Sequence, residues 1–136
     1  MLTVHFKEET DAAFWPQEAD WRLVLVFDSL CHYLRGYGVG SVVITSFMRP
    51  NDPGSVHAFG RGLDIRTHDF SQGLLEGLVL ALNQRFIYDV NRTYLVALYE
   101  PNAPRGAHLH LQVPHENAPL ILVGGKGAFG PDEPLV

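Results

Sequence analysis

The segment from His108 to Val113 alternates polar and apolar side chains without a break, and this pattern constrains the fold more than any other stretch. A β-strand repeats its side-chain direction every two residues, so both histidines and Gln112 share one face. The segment from Leu63 to Arg66 alternates in the same way. The two segments therefore predict strands of a sheet that buries one face and leaves the other polar.

Helical spacing marks two longer segments. Apolar residues recur at intervals of three and four over residues 17–36 and 71–86, which predicts two helices, the first opened by Pro16. β-branched or alternating residues between turn-forming clusters predict strands at residues 3–6, 41–47, 63–67, 93–99 and 108–113. This order of elements predicts an α+β domain, with an antiparallel sheet and helices packed on one of its faces.

The chain of 136 residues is long enough for one domain with one hydrophobic core. No repeat and no change in composition divides it, so residues 1–136 are predicted to form a single domain. The chemistry-bearing motifs lie between residues 40 and 113, and residues 114–136 form a tail rich in proline and glycine. We therefore expect motifs and scaffold to belong to the same folding unit.

Composition excludes several functional classes. The formal net charge is −5 and the ten lysines and arginines are scattered, which disfavours binding to a nucleic-acid backbone. The single cysteine, Cys31, excludes an internal disulfide and a cysteine-rich zinc site. No apolar run reaches the roughly 18 residues of a membrane span, and the first residues lack the pattern of a secretory signal. We expect a monomer that is cytoplasmic as synthesised, although release to the cell wall by a phage-encoded route would leave no mark in the sequence.

A histidine and a carboxylate stand close together in the sequence, because His57 and Asp64 are separated by a short stretch that contains Gly60 and Gly62. If the strand of Asp64 pairs with the strand of His110, the carboxylate and the imidazole lie within reach of each other. The two glycines allow the His57 loop to fold back over them. Two imidazoles and one carboxylate leave one position of a tetrahedral zinc ion open, as in catalytic sites. We therefore expect these three side chains to bind one zinc ion, with surface histidines that bind nothing as the alternative.

The spacing around His57 resembles a known signature. The pattern Ser55-x-His57-x-x-Gly60-x-x-x-Asp64 is similar to the Ser-x-His-x-x-Gly-x-Ala-x-Asp motif of a group of zinc peptidases. That group comprises the D-alanyl-D-alanine carboxypeptidases and the L-alanyl-D-glutamate endopeptidases. These enzymes share a zinc-binding superfamily with lysostaphin-like enzymes and the hedgehog signalling domain.

Two further segments support the same resemblance. A strand followed by Arg49 precedes the motif, and His108-x-His110 is similar to the C-terminal ligand motif of the family. The likeness runs in order from about residue 40 to residue 113, which is most of the chain. It implies the sheet-and-helix fold of the hedgehog and D-alanyl-D-alanine peptidase superfamily.

The resemblance implies a role for each matched residue. His57, Asp64 and His110 would bind one zinc ion, and Arg49 would stabilise a substrate carbonyl or the developing oxyanion. Ser55 would orient a ligand residue or the substrate. The implied activity is hydrolysis of peptide bonds in peptidoglycan stem peptides, by a carboxypeptidase or endopeptidase that uses zinc-activated water.

The sequence departs from the family pattern at two places. Gly62 stands where alanine is usual, a small-for-small change that we expect to have little effect. Many members also carry a catalytic glutamate in a Glu-x-x-His pattern before the last ligand, and Ala107 occupies that place here. The general base is therefore open between His108 and Glu100, which ends the preceding strand.

Two other functional hypotheses follow from the same residues. The missing glutamate favours a zinc-binding module that has lost hydrolysis, such as a structural component of a phage particle. In a metal-free α+β domain the histidines would coincide by chance. For Arg49, a structural ion pair with Asp52 or Asp64 is the alternative to a role with substrate.

Overall fold

A computed structural model describes residues 1–123 of the protein, and the rest of the proline- and glycine-rich tail, residues 124–136, lies outside the described part. The helices are α1 (Glu9–Glu18), α2 (Trp21–Gly36) and α3 (Gln72–Arg85). The strands are β1 (Thr3–Phe6), β2 (Ser41–Ser46), β3 (Gly62–Arg66), β4 (Phe86–Ile87), β5 (Ala97–Glu100), β6 (His108–Gln112) and β7 (Ile121–Leu122). A short 3-10 helix spans Val56–Phe59.

Five strands form the main sheet in the order β1-β2-β3-β6-β5, and β4 and β7 form a separate antiparallel pair. Neighbours in the main sheet are antiparallel except β1 and β2, which are parallel. In the sequence, α1 and α2 lie between those two strands and provide the crossover that a parallel pair requires. The predicted α+β class is confirmed, and the prediction of an antiparallel sheet is wrong at this one edge.

One face of the main sheet packs against α2 and α3 to form the hydrophobic core. Its buried side chains alternate along each strand: Val42, Ile44, Leu63, Ile65, Leu109 and Leu111. The helices contribute mainly leucines: Leu23, Leu30 and Leu34 from α2, and Leu78 and Leu82 from α3. Burial of each such side chain contributes about 2 kcal/mol to the free energy of folding. The core therefore fixes which face of the sheet is left for polar residues.

The helix predicted over residues 17–36 is α2, which begins four residues later, at Trp21, and ends at Gly36 as predicted; α1, before it, was not expected from the sequence. Pro16 lies inside α1, where it removes one helical hydrogen bond, and the helix ends soon after it. α2 begins after Asp20, whose carboxylate accepts a hydrogen bond from the backbone N–H of Arg22 at 2.9 Å. Sequence periodicity misses α1 because its apolar residues form no continuous stripe.

The strand predicted over residues 93–99 also differs, since β5 begins at Ala97 and ends at Glu100. The carboxylate of Asp89 accepts hydrogen bonds from the backbone N–H groups of Thr93 at 2.8 Å and Tyr94 at 3.3 Å. These amides serve a turn and are not available to a sheet. The other predicted helix and strands agree with the structure to within one residue at each end, and the short pair β4–β7 was not expected from the sequence.

The start of α2 connects two distant parts of the chain. The backbone N–H of Asp20 donates to the carbonyl of Gly60, at the end of the 3-10 helix, at 2.9 Å. The buried guanidinium of Arg22 donates to the Asp20 carboxylate at 2.8 Å. It also donates to the carbonyls of Pro114 and Ala118, both at 2.6 Å, in the segment that follows β6. We call this cluster the α2 corner; it joins the 3-10 helix to the chain that leaves β6.

Candidate metal centre

The polar face of the main sheet brings Asp64 and His110 together. β3 and β6 are antiparallel neighbours, and these two residues lie directly opposite each other in the register. The Nδ1 atom of His110 stands 2.8 Å from the Oδ1 atom of Asp64. The two alternating segments of the sequence are therefore paired strands with their polar side chains on one face.

His57 reaches the same point from the 3-10 helix. The Ser55 hydroxyl caps this helix by accepting a hydrogen bond from the His57 backbone N–H at 3.2 Å, and Gly60, with a φ of 68°, ends it. The Nδ1 atom of His57 donates to the Phe47 carbonyl at 2.8 Å. This bond turns the Nε2 atom toward the Oδ1 atom of Asp64, 3.4 Å away. Ser55 thus contacts the backbone of a candidate ligand and fixes its position.

The donor atoms of His57, Asp64 and His110 form a cluster of the size that a small metal ion requires. One ligand atom from each side chain can be chosen so that all lie within 4.8 Å of one another. Ligands about 2.1 Å from a tetrahedral zinc ion stand about 3.4 Å apart. Two imidazoles and a carboxylate are also a donor set that zinc accepts. The residues present therefore fit a divalent ion such as zinc.

Asp64 is held as a carboxylate at the centre of this cluster. Burial raises the pKa of its carboxyl, but the imidazoles of His110 and His57, which donate to the carboxylate as charged rings, outweigh burial and hold the pKa well below its usual range. Only 4% of the residue is exposed. The carboxylate supplies the negative charge that favours a bound cation.

Arg49 is fixed beside Asp64. Its Nη2 atom donates to the Oδ2 atom of Asp64 at 2.8 Å, and its Nε atom donates to the Ser46 hydroxyl at 2.9 Å. Its backbone N–H donates to the carbonyl of His57 at 3.2 Å. The structural ion pair with Asp64, one of the two roles considered for Arg49, is therefore present. The guanidinium is 29% exposed and has N–H donors beyond the two used here.

The two candidates for the general base lie together next to the cluster. His108 on β6 and Glu100 on β5 are opposite in the register, and the His108 Nε2 atom is 3.7 Å from the Glu100 Oε1 atom. The same nitrogen is 3.7 Å from the Oδ1 atom of Asp64, while Nδ1 faces the Gly106 carbonyl at 3.0 Å. His108 thus borders the three candidate ligands, and Glu100, with 48% of its side chain exposed, lies at the rim.

An open cleft of about 980 Å³ lies over this face of the sheet. Its volume is at the upper end of the roughly 300–1,000 Å³ that is usual for small-molecule sites. Besides the candidate metal ligands, the cleft is lined by positively and negatively charged side chains and by a histidine: Lys7, Glu8, Arg66, His68 and Arg105. The cleft therefore leaves the cluster accessible from solvent.

Asp11 supports the site although no sequence pattern identifies it. Its buried carboxylate on α1 accepts hydrogen bonds from the backbone N–H groups of Phe47 at 3.1 Å and Met48 at 2.9 Å. The Phe47 carbonyl in turn accepts the hydrogen bond from His57. An acidic residue in the first turn of a helix is ordinary, so only the folded chain reveals this contact.

Gly62 is more constrained than a small-for-small exchange implies. A Cβ atom at this position would collide with the side chain of Val56 and lie 3.3 Å from the Cδ2 atom of His57. The 3-10 helix therefore packs directly on the backbone of β3. Alanine, the usual residue at this place in the family, would require Val56 to shift in this protein.

Comparison of the protein with family models, with curated proteins and with solved structures found no match. No helix in the described residues 1–123 is long and apolar enough to cross a lipid bilayer. The fold and the cluster define the protein as an α+β domain with a cleft over a His–Asp–His group that could hold a metal ion.

Proposed function

We propose that the protein is a zinc-dependent peptidase that hydrolyses peptide bonds in peptidoglycan stem peptides, as a carboxypeptidase or an endopeptidase. The observation that carries the proposal is the convergence of His57, Asp64 and His110, from two distant segments, at one point in the cleft. The resemblance of the motif around His57 to the D-alanyl-D-alanine and L-alanyl-D-glutamate peptidases supplies the substrate class.

The ligand atoms follow from the hydrogen bonds of the cluster. The Nε2 atom of His57, the Nδ1 atom of His110 and a carboxylate oxygen of Asp64 would hold the ion, and a fourth position would stay open. The chemistry that zinc supplies when bound is Lewis acidity and a lowered pKa, about 7, for a coordinated water. The depressed pKa of Asp64 keeps its carboxylate available at neutral pH.

The neighbouring side chains provide the remaining groups that peptide hydrolysis needs. Arg49 is held by Ser46 and Asp64, and its unused N–H donors can face a substrate oxygen as negative charge develops on it. His108 or Glu100 accepts the proton of the attacking water. The two side chains lie 3.7 Å apart in the cleft, so the role stays open between them.

A zinc-binding module without hydrolysis is the second candidate function, and the residues around the proposed base favour it. Ala107 occupies the place of the glutamate found in the family, and the nearest carboxylate, Glu100, lies exposed at the rim. Such a module would keep the ligands and the cleft and would bind a peptide without cleaving it, for example as part of a phage particle.

Metal analysis and a digestion assay separate these two functions. Protein reconstituted with zinc should contain about one zinc per chain, as a site with three protein ligands requires. Incubation with purified peptidoglycan, followed by mass spectrometry, should reveal released peptide fragments. Zinc without fragments would support the binding module, and the absence of zinc after reconstitution would exclude both functions.

Histidine variants make the assay specific to the site. His110→Ala should lose zinc and activity together because it removes a ligand. His108→Ala should keep most of the zinc and lose turnover if His108 is the base, whereas unchanged turnover would assign that role to Glu100. His5→Ala is the matched control, since His5 is exposed on β1, and it should change neither property.

A further inference from the structure

Gln112 is fixed at both ends beside His110. Its side-chain Nε2 atom donates to the Leu95 carbonyl at 2.8 Å, and its Oε1 atom lies 3.1 Å from the Nε2 atom of His110. Its backbone N–H donates to the Val96 carbonyl at 2.9 Å. The Gln112 side chain therefore bridges the segment before β5 and a candidate metal ligand.

The direction of this amide is set by the groups that it faces. A carbonyl oxygen only accepts hydrogen bonds, so the NH2 group of Gln112 must face Leu95 and its oxygen must face His110. That oxygen also only accepts, so the facing Nε2 atom of His110 must carry a hydrogen. A neutral imidazole has a single N–H group, and its Nδ1 atom then presents a lone pair.

We infer that Gln112 is a positioning residue that fixes His110 as the Nε2–H tautomer and so selects Nδ1 as the nitrogen that binds the metal. The inference rests on the metal site of the proposed function. The Nδ1 atom lies 2.8 Å from the Oδ1 atom of Asp64, and a bare nitrogen and a carboxylate oxygen repel each other at that distance. A cation between them removes the repulsion, and a metal ion does so with bonds to both atoms.

His57 has the opposite arrangement. The Phe47 carbonyl takes the hydrogen on its Nδ1 atom at 2.8 Å and leaves Nε2 to face Asp64. His110 lies directly across from Asp64, so its nearer nitrogen reaches the carboxylate, whereas His57 approaches from a loop and uses its farther nitrogen. Each candidate ligand is therefore held by its own acceptor, as is usual for histidines that bind metals.

Two substitutions at position 112 test the inference. Gln112→Met keeps the length of the side chain and removes the amide, and Gln112→Glu keeps an oxygen that can accept from His110. Long-range proton–nitrogen NMR on the metal-free protein, at a pH where the ring is neutral, distinguishes the two tautomers. Wild type and Gln112→Glu should show His110 with hydrogen on Nε2, and Gln112→Met should lose this pattern.

Zinc affinity, measured by competition with a chelator, gives the second readout. Gln112→Met should bind zinc about 10- to 100-fold more weakly, the usual loss when the partner of a ligating histidine is removed. Gln112→Glu should retain most of the affinity. Gln72→Met is the matched control, because Gln72 is exposed at the start of α3, and it should change neither the tautomer nor the affinity.

Three results would overturn the inference. One is a Gln112→Met protein that is less stable to heat but keeps the wild-type tautomer and affinity, since that pattern describes a purely structural residue. The second is a Gln112→Glu protein that is as stable to heat as wild type but loses the tautomer and the affinity. The third is a wild-type protein whose His110 carries its hydrogen on Nδ1. This measurement does not depend on the folding of any variant. Failure of the wild type to bind zinc, with the Nε2–H tautomer present, would instead contradict the proposed function and leave only the effect of Gln112 on the tautomer.

Discussion

The two halves of the candidate metal centre are held by different means. The strand half, Asp64 and His110, lies within a continuous antiparallel pairing of β3 and β6, so backbone hydrogen bonds fix the distance between the two side chains. The loop half, Arg49 and His57, lies on the connection between β2 and β3. That connection depends on single contacts, such as the hydrogen bond from His57 to the Phe47 carbonyl.

This difference separates metal binding from folding. Displacing the loop half removes one ligand and the guanidinium but leaves the sheet and the core in place. Displacing the strand half requires β3 and β6 to separate, which would open the core that they cover with Leu63, Ile65, Leu109 and Leu111. We therefore expect substitutions that loosen the loop to reduce metal affinity while the sheet and the core stay folded.

The largest effect is expected for Asp64→Asn in the strand half. The substitution removes one ligand and the charge that Arg49, His57 and His110 face. Zinc binding should be abolished, and the free energy of unfolding of the metal-free protein should fall by about 2 kcal/mol. We discount a larger cost because the Arg49 side chain is 29% exposed and water can replace its partner. Zinc titration and urea denaturation measure the two effects.

The same variant should change the response to acid. The pKa of Asp64 is lower in the folded protein than in the unfolded chain. Its stabilising contribution is therefore present above the unfolded pKa of about 4 and is lost as pH falls through the lower folded value. Metal-free wild type should lose stability more steeply below about pH 4 than Asp64→Asn. Asp69→Asn, at an exposed position, should behave as wild type; equal slopes for all three proteins would contradict the prediction.

A smaller loss of zinc binding is expected for Asp11→Ala, which acts on the loop half. The backbone N–H groups of Phe47 and Met48 would lose their acceptor, which costs about 1–3 kcal/mol for a buried donor. The Phe47 carbonyl would then hold His57 less firmly, and zinc affinity should fall by about tenfold. Urea denaturation and chelator competition measure the two losses.

Asp28→Ala is the matched control for this substitution, because Asp28 is exposed on α2. It should leave both zinc affinity and stability close to wild type. A loss of stability in Asp11→Ala without any loss of zinc affinity would show that the α1 contact supports the fold and not the ligand.

Gly62→Ala tests the contact between the two halves. The added Cβ would push Val56 and the ring of His57 away from β3, at a cost of about 1–2 kcal/mol. Thermal unfolding should show a destabilised protein whose stabilisation by added zinc is reduced. Gly73→Ala, in open space on α3, should instead gain about 0.5–1 kcal/mol from its helical propensity. Equal effects of the two variants on stability would show that the contact of Val56 and His57 with Gly62 does not determine stability.

The smallest effect is expected in the rate at which Cys31 is labelled. This rate tests whether the loop half can move without opening the core. Burial raises the pKa of this thiol to about 12, and the residue lies in the core on α2. Labelling by a thiol reagent should be slow in the wild type because the thiolate is rare and inaccessible. It should stay slow in Asp11→Ala and Gly62→Ala. Rapid labelling in either variant would mean that the loop half and the core open together.

The strand half could be predicted from the sequence because both of its constraints are local. Alternation placed Asp64 on one strand and His110 on another with their side chains on a polar face, and the structure has these strands as neighbours. Gln112 shares that face, but alternation gives no sign of its bond to Leu95, since β5 begins later than the pattern predicts.

The loop half could be predicted only as a motif. The spacing from Asp64 indicated His57 and the resemblance added Arg49, but one group that holds their segment in place lies far away in the sequence. Asp11 reaches Phe47 across 36 residues, from a helix whose apolar residues show no clear period. Contacts of this kind depend on tertiary packing, so neither propensity nor spacing reports them.

The α2 corner affects how this protein could be divided or transplanted. A fragment of residues 40–113 would carry every matched residue of the motif. It would lack Arg22 and the segment from Pro114 to Ala118 that this guanidinium holds. It would also leave β2 without its parallel neighbour and expose an unpaired sheet edge, which favours aggregation. The smallest fragment that could be transplanted therefore extends well beyond the motif residues, from β1 at least as far as Ala118.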